Sequence, residues 1–129
     1  MTIAYWCVLV VVLLPYFLSV AARSGTPRRQ YVADPRAYSA TLTGWRQRAH
    51  LAHLNAFEAT PALVAGVVVA HLAGAPGGHT DLLAVFFVGL RLSHAALYLA
   101  DRPMLRSHAW RLGIVCVIAM FIDAAVYGR

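Results

Sequence analysis

The amino-acid sequence predicts an all-α integral membrane protein that crosses the bilayer four times. Of its 129 residues, 60% are hydrophobic and only 12% are charged, whereas soluble domains are about 25% charged. The apolar residues form four long blocks that polar or turn-forming segments separate. This composition supplies too little polar surface to cover a water-soluble globule, so the blocks are predicted to lie in lipid.

The first apolar block covers residues 3–22 and contains no charged side chain. A helix of about 20 residues spans roughly 30 Å, the thickness of the hydrocarbon core. No basic residue precedes the block, and the block is longer than the apolar region of a signal peptide. We therefore predict a retained helix, with Pro15 as a kink site inside it and Arg23 at its flank.

Residues 23–43 are the one long polar segment and are predicted to be a loop, because they contain Gly25, Pro27 and Pro35. Two further breaks follow, at 74–78 (GAPGG) and 101–103 (DRP). They divide the remainder of a single domain into three more predicted helices, over residues 44–73, 81–100 and 105–127.

The basic residues predict the orientation of the chain. All eleven are arginines, and they give a net charge of +6. Arg23, Arg28, Arg29, Arg36, Arg46 and Arg48 flank the first loop, and Arg102, Arg106 and Arg111 flank the third. The positive-inside rule places these two loops in the cytoplasm and both termini outside. Topology and anionic headgroups account for the arginines, so membrane lipids are expected partners and nucleic acid is not.

Ionisable residues at membrane depth are costly and must face protein or water. We predict that Glu58, the only glutamate, pairs with Arg91 with the help of Asn55. Helical spacing puts each polar set on one face: Arg48, Asn55 and Glu58 on the second helix, and Arg91, His94 and Tyr98 on the third. Two interpretations remain open, a network that locks the helices together and a ligand site.

The histidines and cysteines do not predict a metal site. His50 and His53 form an HxxH pattern, but no third ligand is evident and we predict no metal site. Cys7 and Cys116 lie inside apolar blocks and belong to no metal-binding spacing, so they are interpreted as small buried hydrophobic residues.

Three segments together resemble the MAPEG family, the membrane-associated proteins in eicosanoid and glutathione metabolism. The first is the run over residues 48–61 (RAHLAHLNAFEATP), with its Asn55 and Glu58. The others are Arg91-x-x-His94-x-x-x-Tyr98 and Arg102-Pro103-x-x-Arg106-Ser107 with the aromatic Trp110. The resemblance covers nearly the whole chain, and the order of the motifs makes it specific.

The resemblance implies a homotrimer of four-helix bundles with glutathione bound between subunits near the cytoplasmic side. By position, it assigns eight residues to the glutathione site: Arg48, His53, Asn55, Glu58, Arg91, Tyr98, Arg106 and Ser107. Arg48 and Arg91 would hold the carboxylates and backbone of the tripeptide. Arg106 would favour the thiolate of the bound thiol, or Ser107 would donate a hydrogen bond to the sulfur. Arg102 is an alternative to Arg106.

Two positions depart from the best-known members: Leu51 stands where an arginine is expected, and Ala56 where an aspartate is common. The sequence is more similar to the bacterial branch, which implies a bacterial inner membrane. The expected function is a glutathione-dependent transferase or peroxidase that acts on a lipophilic small molecule. The alternatives are a non-catalytic scaffold or lipid-binding protein of the same fold, and a proton-coupled transporter that uses Glu58, Arg91 and His94.

Overall fold

A computed structural model describes residues 1–128 and contains four long helices and two short ones, with no strand in that range. In chain order the helices are α1 (Ile3–Arg23), α2 (Arg28–Val32), α3 (Pro35–Ala40), α4 (Gly44–Leu72), α5 (Gly77–Leu99) and α6 (Pro103–Tyr127). The four long helices are each long and apolar enough to cross a membrane. The predicted class, an all-α integral membrane protein, is confirmed.

Large apolar side chains cover the outside of the bundle. Phe17 on α1, Phe86 on α5 and Ile118 on α6 are more than half exposed. Such a surface is unfavourable in water. It is compatible with lipid, because acyl chains are as apolar as these side chains. The helices therefore contact lipid along these faces.

Two segments differ from the prediction. The polar segment 23–43 contains α2 and α3 instead of an irregular loop. Proline causes part of this difference, because Pro35 stands at the first turn of α3, where its missing N–H is not needed. Asp34 caps the same helix by accepting a hydrogen bond from the Ala37 N–H at 3.0 Å. Similarly, α5 begins at Gly77, inside the predicted turn.

Helix α4 holds the bundle together because it packs against α1, α5 and α6. Its Leu63 and Val67 lie in a core with Phe87 of α5 and Met120 of α6. The closest approach is at Gly66, where an added Cβ would lie 2.9 Å from Met120 Sδ. Two other small residues lie away from helix contacts within the chain: Ala65 is exposed, and a Cβ added at Gly89 would meet nothing within 4 Å.

The ends of α4 and α5 close with the same pattern of hydrogen bonds. At the end of α5, the Asp101 N–H donates to Tyr98 O at 3.2 Å and the Arg102 N–H donates to Leu97 O at 2.9 Å. This is a Schellman motif, which requires a left-handed residue at its turn. Asp101 supplies it with φ 55°, where α4 uses Gly74 with φ 76°. The short turn brings the start of α6 directly beside the end of α5.

Candidate functional site

A polar cavity of about 330 Å³ lies between α4, α5 and the first turns of α6, at the arginine-rich end of the bundle. Its lining residues are Asn55, His94, Tyr98, Arg106, Ser107, Trp110 and Arg111. We call it the Arg106 cavity. Two arginines and no carboxylate line it, so its field favours an anionic ligand.

Two aromatic rings fix the position of Arg106. Its guanidinium carbon lies 3.9 Å from the centre of the Tyr98 ring, a cation–π contact. Tyr98 in turn meets His94 edge-on, with ring centres 5.5 Å apart. His94 is buried, and its Nδ1 has no hydrogen-bond partner among the described residues. These ring contacts hold a permanent cation at the wall of the cavity, which no carboxylate lines.

Arg91 is the buried cation of the site, with 2% of its surface exposed. Its Nη2 donates to Asn55 Oδ1 at 2.8 Å and to the Asn55 carbonyl at 3.1 Å. Arg91 Nε is buried and has no partner among residues 1–128. A guanidinium carries five N–H donors. The two contacts with Asn55 therefore leave much of its donor capacity unused.

The predicted ion pair between Glu58 and Arg91 does not form. The ion pairs within 4.0 Å among the described residues are Arg48–Asp101 and His79–Asp123, and neither includes Glu58. Asn55 takes the place of the carboxylate because it lies one helical turn closer to the arginine-rich end, where Arg91 reaches. Glu58 is exposed on the surface of the single chain, so the expectation that both charges are sheltered is correct only for Arg91.

A second, smaller cavity of about 130 Å³ adjoins the first at membrane depth. Its lining residues are Glu58, Ala59, Ala62, Phe87, Arg91, Trp110, Gly113 and Ile114. Trp110 lines both cavities, and the hydrogen bonds between Arg91 and Asn55 link their walls. We call it the Arg91 cavity.

The other assigned residues of α4 lie outside the Arg106 cavity. Arg48 Nε donates to Leu99 O at 3.1 Å, and its Nη1 lies 4.0 Å from the carboxylate of Asp101. It therefore ties the start of α4 to the end of α5. His53 faces α1 instead, where its Nδ1 lies 2.7 Å from the Pro15 carbonyl. Two residues before Asn55, its side chain is rotated by about 200° around the helix and cannot share that wall.

Ser107 and the two alternative arginines are distinguished by position. Ser107 lines the Arg106 cavity while its hydroxyl donates to Pro103 O at 3.0 Å. Arg102 does not line the cavity, whereas Arg106 does. The resemblance did not assign His94, Trp110 or Arg111 to the glutathione site, yet all three line this cavity. The spacing of four that separates Trp110 from Arg106 and Arg111 from Ser107 is the signal that places them on the same face of α6.

Fold and site together define a multi-pass membrane bundle whose arginine-rich end carries a cavity suited to a small anionic ligand. The chain belongs to the MAPEG family: the model of that family matches residues 3–126, nearly the whole length. The resemblance found in the sequence is thereby confirmed, and the family is generally associated with glutathione. No curated protein and no solved structure matches the chain.

Proposed function

We propose that the protein is a membrane-bound glutathione-dependent transferase that joins the thiol to lipophilic electrophiles taken from the bilayer. The observation that carries the proposal is the Arg106 cavity, with two arginines, hydroxyl and amide groups and no carboxylate on its wall. Glutathione is a compact tripeptide with two carboxylates and a thiol. Such a cavity offers charge-assisted hydrogen bonds to each of these groups.

In this proposal Arg106 lies beside the sulfur. A thiolate is the reactive form of a thiol, and a neighbouring permanent cation lowers the pKa of the thiol. Arginine suits this role because it keeps its charge at all relevant pH values. The Tyr98 ring, 3.9 Å from the guanidinium carbon, holds the cation in place before the ligand arrives. Ser107 and Asn55 supply polar contacts to the remainder of the tripeptide.

We further propose that the chain works as a homotrimer and that its first and third loops face the cytoplasm. Glu58 supports association, because it is the middle residue of α4 and is exposed on the single chain. A carboxylate facing lipid at that depth costs at least a few kcal/mol, so another subunit is expected to cover it. Arg48 and His53 would then complete a site from the neighbouring subunit.

The two departures from the better-known members do not argue against this function within the chain. Ala56 is 2% exposed and packs with Leu18 and Ala95, so an aspartate there would lie in an apolar core. Leu51 is 41% exposed and does not line the Arg106 cavity. Neither departure changes the lining of the Arg106 cavity, so neither favours a non-catalytic protein over an enzyme.

The test is a titration of the detergent-solubilised protein with glutathione, followed by the ultraviolet absorbance of the bound thiolate. We expect binding to the natural protein and a thiolate signal that falls about tenfold in Arg106→Ala, equivalent to ~1.4 kcal/mol. Arg102→Ala is the matched control, because this arginine belongs to the same connection but does not line the cavity. An unchanged thiolate signal in Arg106→Ala would refute the assignment of Arg106. A folded oligomer that binds no thiol would establish the non-catalytic alternative.

A further inference from the structure

We infer that α2 presents a binding surface for the headgroup of an anionic phospholipid, in the leaflet at the arginine-rich end of the bundle. The surface is a shallow depression of about 370 Å³ whose lining residues are Arg28, Arg29 and Val32. We call it the α2 surface. It shares no lining residue with the Arg106 cavity, and the inference does not depend on the proposed thiol chemistry.

The first argument is the level of α2 relative to the membrane. Helix α1 is one of the four helices that can cross the bilayer, and it ends at Arg23. Only residues 24–27 separate it from α2, and the chain turns there, because the Thr26 N–H donates to Arg23 O at 3.2 Å. The short connection keeps α2 close to the level at which α1 leaves the hydrocarbon, where lipid phosphates lie.

The second argument is the way in which the connection is anchored. Tyr38 of α3 packs against a core cluster that includes Ala22 of α1, and its hydroxyl shares a hydrogen bond of 2.7 Å with the Thr26 hydroxyl. Tyr31 of α2 lies against Tyr38, with ring centres 6.0 Å apart, and the Arg23 guanidinium carbon lies 5.5 Å from the Tyr31 ring centre. The aromatic side of α2 therefore faces the bundle. Tyr31 is half-buried, whereas Arg28, Arg29 and Val32 are exposed.

The third argument is that the fold leaves these two arginines unused. Five other arginines contact the protein through rings, carbonyls, an amide or a carboxylate: Arg23, Arg46, Arg48, Arg91 and Arg106. Among residues 1–128, Arg28 and Arg29 form no ion pair within 4.0 Å and no side-chain hydrogen bond. Asp34 is the only carboxylate between residues 23 and 43, and it caps α3 instead of lining the α2 surface.

Charge and shape together identify the ligand. Two guanidinium groups without a neighbouring carboxylate favour a phosphate, to which arginine can donate two parallel hydrogen bonds. Val32 lies three residues after Arg29 and four after Arg28, so helical spacing places it beside both. Its side chain is 56% exposed and offers an apolar contact to the glycerol and first acyl carbons. A soluble anion held by two exposed arginines would be weakly bound, whereas a lipid phosphate is already concentrated at this level.

The experiment is native mass spectrometry of the full chain in nonionic detergent micelles, with phosphatidylglycerol added. Phosphatidylcholine with the same acyl chains is the matched control lipid, because it carries the phosphate but no net charge. We expect the first phosphatidylglycerol to bind at least about fivefold more tightly than phosphatidylcholine. Arg28→Gln and Arg29→Gln should each lower the phosphatidylglycerol affinity about fivefold, and the double variant should bind both lipids equally.

Arg36→Gln is the control variant. It removes the same charge from the same connection, but Arg36 lies on α3 and does not line the α2 surface. We expect it to keep the preference for phosphatidylglycerol. Circular dichroism of each variant checks that the helices are intact, and all three replaced side chains are exposed.

The soluble competitor glycerophosphoglycerol has the same headgroup without acyl chains, and it should not displace the lipid at equal concentration. Displacement by it would overturn the inference in favour of a site for free anions, and displacement by glutathione would assign Arg28 and Arg29 to the thiol. Equal binding of the two lipids to the natural protein would also overturn it. An equal loss in Arg36→Gln and Arg28→Gln would replace the α2 surface with a diffuse effect of charge.

Discussion

Replacing Asn55 tests which residue satisfies the buried charge of Arg91. The side-chain oxygen of Asn55 accepts from Arg91 Nη2 at 2.8 Å, and the Asn55 carbonyl accepts at 3.1 Å. Asn55→Leu removes the first contact and keeps the second. A hydrogen bond to a charged group contributes about 1.5–3 kcal/mol, so we expect a loss of ~2 kcal/mol in the free energy of unfolding. Glu58→Gln should cost less than about 1 kcal/mol, because Glu58 makes no ion pair within 4.0 Å among residues 1–128 and so loses no such contact.

The measurement is a denaturant titration in mixed micelles, followed by circular dichroism, without thiol. Leucine is a better helix former than asparagine by about 0.5 kcal/mol, and a double-mutant cycle with Arg91→Met removes this difference. We expect a coupling energy between Asn55 and Arg91 of about 1.5–3 kcal/mol. A coupling below about 0.5 kcal/mol, with a larger one between Glu58 and Arg91, would refute the geometry in favour of the ion pair that the sequence suggests.

Substitutions at three further positions test the packing and the turn beside the site, and each is measured by the same titration. Gly66→Val should destabilise the bundle by about 1–3 kcal/mol, because an added Cβ already lies 2.9 Å from Met120 Sδ; no loss would contradict the close approach of α4 and α6. Gly89→Ala should instead stabilise it by up to about 1 kcal/mol, since its Cβ meets nothing within 4 Å. Asp101→Gly should stabilise by ~1 kcal/mol, because the residue has φ 55° and its contact with Arg48 is long and exposed. Asp101→Asn, which keeps a residue tolerant of this conformation, should leave stability unchanged.

The sequence was sufficient to predict the membrane-spanning helices because bilayer thickness and backbone hydrogen bonding leave few alternatives. It was less informative about the connections. Residues 23–43 contain prolines and a glycine, which normally indicate a loop, yet Asp34 and Pro35 form the cap and first turn of α3. Helix-start signals and loop signals use the same residue types, so composition alone does not separate them.

The site was predicted in part. Helical spacing correctly grouped Asn55 with the face of α4 that meets Arg91 of α5. Helical spacing predicts the face on which a residue lies but not how far along the bundle the long Arg91 side chain reaches. The sequence therefore favours Glu58 as the partner of Arg91, whereas Asn55 is the residue that Arg91 contacts. His53 entered the predicted set by position in the family pattern, although it faces α1 in the single chain. Whether it reaches a ligand depends on a neighbouring subunit, which one chain does not contain.

The choice of an amide as the partner of Arg91 has a chemical consequence for the proposed function. A carboxylate at the position of Asn55 would neutralise the guanidinium and weaken its attraction for any other acceptor. An amide oxygen satisfies two donors at most and leaves the positive charge in place, inside a low-dielectric bundle where it acts strongly. If Arg91 served only to lock α4 to α5, an ion pair would do so with fewer unsatisfied groups. Asn55→Asp should therefore preserve or raise stability while lowering the affinity for glutathione, because a carboxylate beside Arg91 and on the wall of the Arg106 cavity opposes an anionic ligand. An unchanged affinity in the glutathione titration would contradict a binding role for Arg91.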